Sequence, residues 1–384
     1  MTDFVAPAYG DRSLGDVFPA VARALGRPLD EGDGSTDAGA VWELPPAPAY
    51  VVFLVDGLGA RQLEAHADEA PYLHGLLTGS TQGSPQGSRQ GTAGVPSTTA
   101  TSLTSLGTGL PPGAHGVVGF SSRIPGTDEL LYALAWSKDV DPHEWQPHPT
   151  VFSRMAAAGL EVTTVNKREF RGSGLTEASA RGAEFVGADR LGERLVAVQA
   201  ATRSRPSVAY MYEGDLDWTG HRYGVASPQW RAQLAMTDMA AQRFREELPD
   251  DVRMVVVADH GMVDATEQVD IDQIDGMRDG IGLIGGEARL RYLYCVNGAV
   301  DDVVQRWSSV LGDRAEVMTR DDAIARGWFG MVSPTVRPRL GDVVVAARGR
   351  TLMVSTRDNP YEARLVGMHG SLTPEEMLIP VLLA

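Results

Sequence analysis

The sequence predicts an α/β fold, with a largely parallel central sheet, helices on both faces and a small inserted α+β module. Three observations predict it. Continuous runs of β-forming apolar residues occupy 50–55, 161–165, 207–212 and 254–258, as in strands buried on both faces. Helix-like segments at 149–158, 188–204 and 228–247 lie between them, and this alternation implies crossover connections and parallel pairing. Asp56 and Asp259 directly follow two of the runs, at the carboxyl ends where open α/β sheets place their ligands.

Taken in order, residues 1–48 combine a short helical pattern at 14–25 with Gly/Asp-rich and Pro-rich stretches, and read as an N-terminal arm. Residues 49–286 and 358–384 form the core, interrupted at 79–94 by a Ser/Gln/Gly/Thr-rich segment expected to be a flexible loop. Between them, 287–357 reads as the module: strand 290–296, helix 299–311, short helix 320–326 and strands 342–347 and 351–355. No internal repeat or coiled-coil heptad is present.

At 384 residues, with 43% hydrophobic and 22% charged, the chain can bury a sizeable core. Its net charge of −16, from 50 acidic and 34 basic residues, disfavours binding to nucleic-acid polymers, which need a positive footprint. A small phosphorylated substrate is compatible with that acidity, because bound cations reverse the field locally. The single cysteine, Cys295, sits in an apolar run and reads as a buried core residue; it forms no intrachain disulfide. The N-terminus lacks signal-peptide features and no apolar stretch is long enough to cross a bilayer, so no membrane association and a cytoplasmic location are expected. Oligomeric state is left open.

The chemistry-bearing residues are Asp56, Asp217, His221, Asp259, His260 and His369. Carboxylates and neutral imidazoles are ligands for hard or borderline divalent cations. Asp217 and His221 stand four apart around Gly220, while Asp259 and His260 are adjacent at a strand end, where a turn helped by Gly261 can aim both inward. His66, His74, His115, His143 and His148 lack such context and read as surface or loop residues. A Ser/Thr-rich run begins at Ser97-Thr98-Thr99. Alone it is a helix N-cap pattern. Beside metals, a hydroxyl of lowered pKa at a helix start also becomes a nucleophile facing phosphate. The two roles are compatible.

Taken together, these motifs resemble the alkaline phosphatase superfamily, and most of all its nucleotide pyrophosphatase/phosphodiesterase branch. The resemblance rests on Asp56-Gly57 after the first strand, the Pro96-Ser-Thr-Thr99 block and Thr108-Gly109 running to His115-Gly116. It also takes in Asp217-x-x-Gly-His221, Asp259-His260-Gly261-Met262 and His369-Gly370. It implies one metal held by Asp217, His221 and His369 and a second by Asp56, Asp259 and His260. Zinc suits this set best, with manganese or iron as alternatives. Nine residues before Thr108, Thr99 rather than Thr98 is the implied nucleophile and bridging ligand, and His115 is structural. The implied reaction is a double displacement through a phosphothreonine, with retention at phosphorus.

Some positions depart from that pattern. Ser102 stands where phosphodiesterase relatives commonly place an asparagine, and Ala100 where they place a base-stacking aromatic. Asn166-Lys167-Arg168 is either a solvated basic turn or a substrate contact similar to that of monoesterase relatives. The expected function is therefore a phosphodiesterase or nucleotide pyrophosphatase, followed by a phosphomonoesterase or a C–P hydrolase; a metal-dependent mutase and an inactive metal-binding protein are more remote.

Overall fold

The computed structural model describes residues 4–29, 42–80 and 90–384. Much of the 79–94 segment, and the Gly/Asp-rich stretch of the N-terminal arm, lie outside the described residues. In chain order the main elements begin with α1 (Val17–Ala24), β1 (Ala49–Val55), α2 (Pro71–Thr78), β2 (Gln90–Thr92) and α3 (Thr99–Thr108). They continue with α4 (Val151–Ala157), β3 (Glu161–Asn166), α5 (Gly174–Ala180), β4 (Glu184–Gly187), α6 (Leu191–Ala201) and β5 (Ser207–Glu213). Next come α7 (Asp215–Tyr223), α8 (Pro228–Glu247), β6 (Val252–Val257), β7 (Ile281–Glu287), β8 (Leu290–Cys295) and α9 (Val300–Leu311). Last are β9 (Ala315–Thr319), α10 (Arg320–Ala325), β10 (Val343–Ala347) and β11 (Leu378–Leu383).

The central sheet has the order β2-β11-β6-β1-β5-β3-β4. Strands β4, β3, β5, β1 and β6 are mutually parallel, and β11 and β2 close one edge antiparallel. Every residue of β1 is buried, as its unbroken apolar run requires. Residues of the expected arm enter the core: Phe18 and Val21 of α1 are fully buried, and Phe18 packs edge-on to Phe152 and Tyr210.

A second, antiparallel sheet of order β7-β8-β10-β9 carries α9 and α10 and begins at Ile281, ahead of residue 287. The strand expected near 351–355 does not join it; Thr351–Val354 pairs parallel with Glu267–Asp270. Buried ion pairs tie the second sheet to the segments that flank His369. Arg289 Nε and Nη2 reach the two carboxylate oxygens of Glu376 at 2.9 and 2.7 Å, and Arg291 pairs with Glu362. Among the described residues, no helix is long and apolar enough to cross a membrane.

Candidate active site

The six acidic and imidazole residues singled out in the sequence converge at the carboxyl end of the central sheet. Asp56 follows β1, and Gly57 turns the chain at φ +74°. A Cβ at Gly57 would lie 3.0 Å from the Asp217 side chain, so only glycine allows this close approach. Asp217 and His221 share one face of α7, separated by one helical turn, with His221 Nε2 3.3 Å from Asp217 Oδ2. Asp259 and His260 follow β6, and His369 follows the short strand Gly367–Met368.

Two groups of three result. In each of the groups Asp217/His221/His369 and Asp56/Asp259/His260, the ligand atoms lie within 4.8 Å of one another. The rings of His260 and His369 stack at 3.7 Å, so the groups adjoin.

Each histidine is held in one tautomer by the backbone. Nδ1–H of His221 donates to the Gly367 carbonyl (2.8 Å), that of His260 to Gly261 (3.0 Å) and that of His369 to Ser97 (2.9 Å). Every Nε2 thereby faces the site, available to a metal once it carries no proton. Among the described residues, buried oxygens of all three aspartates (Asp56 Oδ1, Asp217 Oδ1 and Asp259 Oδ2) have no hydrogen-bond partner. Buried carboxylate oxygens without partners are costly, and cations are the partners this donor set fits.

The electrostatics agree. Burial, then the charges of Asp259 and Asp217, push the Asp56 carboxyl well above the usual range. For Asp217 burial acts in the same direction, but the His221 imidazole, its hydrogen bond and His369 together outweigh it and hold the group low.

Thr99 opens α3 with its hydroxyl 3.2 Å from His260 Nε2 and 3.4 Å from Asp56 Oδ2. Thr98 is the N-cap residue, and its side chain turns to Glu287 instead. Ser102 donates to the Asp259 carbonyl at 2.8 Å, bracing the strand end from inside. Of the basic segment, Asn166 lines the cavity beside Thr99. Lys167 pairs with Asp215 at 3.0 Å, and Arg168 is held by Asp189 and Glu193 at 2.6 and 3.0 Å.

His115 departs from the surface or loop placement expected for it, since it is fully buried. Its Nδ1 accepts from the Val117 amide, and its Nε2–H donates to Ser105 Oγ at 2.9 Å. Burial, then His148 and Arg339, push its pKa down to about 3, so it is a neutral structural group.

Three residues that sequence reasoning missed also face the site. Tyr212 donates to Asp56 Oδ2, Tyr210 lines the cavity beside Thr99, and Glu287 of β7 stands against His369. Burial, then the acidic neighbours Asp56 and Asp259, keep both phenols well above their ordinary range and therefore neutral.

The chain is 25% identical over 254 residues to venom phosphodiesterase 2 of Crotalus adamanteus, covering 64% of this chain and 30% of that protein. It is 24% identical over 238 residues to the venom phosphodiesterase of Macrovipera lebetinus, covering 60% and 27%. The chain thus spans under a third of the length of these relatives. Among solved structures it resembles murine ectonucleotide pyrophosphatase/phosphodiesterase 5 (TM-score 0.67, 15% identity, 86% and 87% of the two chains covered). It is similarly close to phosphonoacetate hydrolase from Sinorhizobium meliloti with bound phosphonoformate (TM-score 0.67, 18% identity, 88% and 90% covered). These likenesses agree with the α/β architecture. The type I phosphodiesterase/nucleotide pyrophosphatase family model matches residues 50–372, and the chain belongs to that family, within the alkaline phosphatase superfamily.

Proposed function

We propose that this chain is a two-metal phosphodiesterase that acts through Thr99 on small phosphorylated substrates. The observation that carries the reading is the pair of adjoining three-residue groups, each of aspartates and histidines, with a helix-opening hydroxyl against one of them. Asp217, His221 and His369 would hold one ion, and Asp56, Asp259 and His260, which stand beside Thr99, the other. Zinc suits this mixed donor set, with manganese or iron as alternatives. Bound divalent ions supply a lowered hydroxyl pKa and neutralise charge on the phosphoryl oxygens.

The chain's own groups do the rest. The start of α3 presents backbone N–H groups to phosphate. Thr99 Oγ forms a bond to phosphorus while the P–O bond to the departing group breaks on the opposite side, and the proton lost from Thr99 ends, by way of solvent, on the departing alcohol oxygen. Water then cleaves the phosphothreonine, returning Thr99 and leaving a phosphomonoester with net retention. An inactive form of the murine neighbour carries a threonine-to-alanine change, which supports a threonine in this role.

The diester is favoured over the monoester because Lys167 and Arg168, the cations available for a doubly charged phosphate, are occupied by acidic partners. C–P hydrolysis is the second reading, favoured by the fold shared with phosphonoacetate hydrolase. The lack of Lys or Arg in the cavity beside Thr99 counts against a carboxylate-bearing substrate there. A cytoplasmic site of action, suggested by the lone Cys295, belongs to the proposal.

The test is hydrolysis of bis-p-nitrophenyl phosphate against p-nitrophenyl phosphate by zinc-loaded protein, with bound metal counted. Diester preference with two ions bound supports the reading. Monoester preference, or a single ion bound with full activity, overturns it.

A further inference from the structure

Beside Thr99 a cavity of about 230 Å³ runs inward between α3, α5 and the ends of β3 and β5. Its walls are Leu103 and Leu106 of α3, Leu175 of α5, and Phe152, Phe170 and Phe185. Among the described residues no Lys or Arg lines it, and the acidic side chains that do, Asp56 and Asp217, belong to the candidate metal groups. A charged organic group would therefore lose its hydration without gaining a counter-charge.

The slot is built into the fold. Helices α3 and α5 meet so closely that a Cβ on Gly107 would lie 1.7 Å from the Ser179 carbonyl oxygen, which fixes the spacing of the walls. For scale, an apolar cavity of about 150 Å³ accepts benzene.

Polar side chains also line it, among them Thr164, Asn166, Ser173, Thr176, Ser179 and Tyr210. Tyr210 is 6% exposed. Lining the cavity as it does, this residue offers a donor that a ligand atom can satisfy.

We infer that this cavity receives the organic group of the phosphoester, and that this group is uncharged and largely apolar: a single ring or short alkyl chain, with Tyr210 donating to an acceptor atom on it. The inference rests on the phosphodiesterase reading and adds the substrate class. Pockets of this kind take most of their affinity from apolar contact and their selectivity from a few placed polar groups.

The test is calorimetric binding of phosphonates to zinc-loaded protein, with bis-p-nitrophenyl phosphate hydrolysis as a parallel reporter. Each phosphonate carries one organic group: methyl, phenyl, hexyl, 4-nitrophenyl or 3-carboxypropyl. Phenyl and hexyl are expected to bind at least tenfold more tightly than methyl, and 3-carboxypropyl no more tightly than methyl.

Equal binding of methyl and phenyl, with the reporter still hydrolysed, overturns the cavity assignment alone. Absence of both binding and hydrolysis sinks the phosphodiesterase reading and this inference with it. Thymidine 5′-monophosphate binding more tightly than phenylphosphonate overturns the apolar class in favour of nucleotides.

Thr176→Phe, which fills the cavity, is expected to collapse the phenyl-to-methyl ratio towards one. If that variant fails to fold, Tyr210→Phe is the second arm. It is expected to weaken 4-nitrophenylphosphonate several-fold relative to phenylphosphonate, and an unchanged ratio removes Tyr210 from the assignment.

Discussion

Glu287, at the end of the first strand of the second sheet, places its carboxylate 3.9 Å from Nδ1 of His369. The contact joins the second sheet to the candidate metal site. Gly370 packs against the same side chain, since a Cβ there would meet the Glu287 carboxyl carbon at 2.8 Å. Burial, only partly offset by the Thr98 side chain, drives the Glu287 carboxyl well above its usual range.

A pH prediction follows from that direction. A carboxyl raised on folding favours the fold while protonated, and its contribution is lost as pH rises from its unfolded value of about 4.3 through the raised folded one. Glu287→Gln, similar in size and permanently neutral, removes this dependence. Metal-free Glu287→Gln should melt with the wild type near pH 4 and above it at pH 8. Parallel melting curves across that range would falsify the raised carboxyl. Glu287→Ala also removes packing beside His369 and should cost about 1–3 kcal/mol near pH 4 and less at pH 8, where the ionised carboxylate it replaces is itself unfavourable.

The two threonines separate in function. Thr99 faces His260 and Asp56, whereas Thr98 faces Glu287. Thr99→Ala should lower diester turnover by at least about a thousandfold with the fold intact, the scale seen when a nucleophile is removed. Thr98→Ala should cost about 1 kcal/mol or less of stability and keep most of the turnover. Single-turnover kinetics with trapping of the phosphorylated enzyme checks both, and a trapped phosphoprotein in Thr99→Ala would shift the nucleophile to another hydroxyl.

The fully buried pair Arg289–Glu376 links the second sheet to the segment after His369, and Glu376 also accepts from the Ser371 amide and the Thr373 hydroxyl. Arg289→Met strands a buried carboxylate and should destabilise by about 3–5 kcal/mol. Adding Glu376→Leu should recover a good part of that loss. A double-mutant cycle by denaturant unfolding measures the coupling, and strict additivity would mean the two sheets are held by other contacts.

How far the sequence carried can be seen in particular elements. The strands ending at Asp56 and Asp259 were legible because burial on both faces leaves an unbroken apolar run. Strand β11 was not: Pro380 interrupts its pattern, and the strand changes partner there, pairing with β2 up to Pro380 and with β6 from Val381. Strand β7 was hidden by Gly282, Gly285 and Gly286, which dilute its β-propensity. The same split holds at the site. Its six candidate ligands carry local marks, such as a strand end or a neighbouring glycine. Tyr212 and Glu287 act across long separations, Tyr212 reaching Asp56 from 156 residues away, and nothing in their local sequence records it.

Tyr212 gives the most direct test of that distant support. Its hydroxyl donates to Asp56 Oδ2, while Asp56 Oδ1 is left without a partner and directed to the site. The hydrogen bond thereby fixes which oxygen is presented to the second metal group. Tyr212→Phe keeps the ring and its edge-on contact with Phe170 but releases Asp56 to rotate. Partners of this kind typically contribute about 10–100-fold to metal affinity. Competition titration with a chelator should therefore find one weakened zinc and one nearly unchanged, the weakened one belonging to Asp56, Asp259 and His260. Because Asp56 is held protonated more readily than an ordinary carboxyl, zinc binding at that group should also release protons, more at pH 6 than at pH 8. Equal weakening of both ions would mean that Tyr212 supports the site as a whole rather than Asp56.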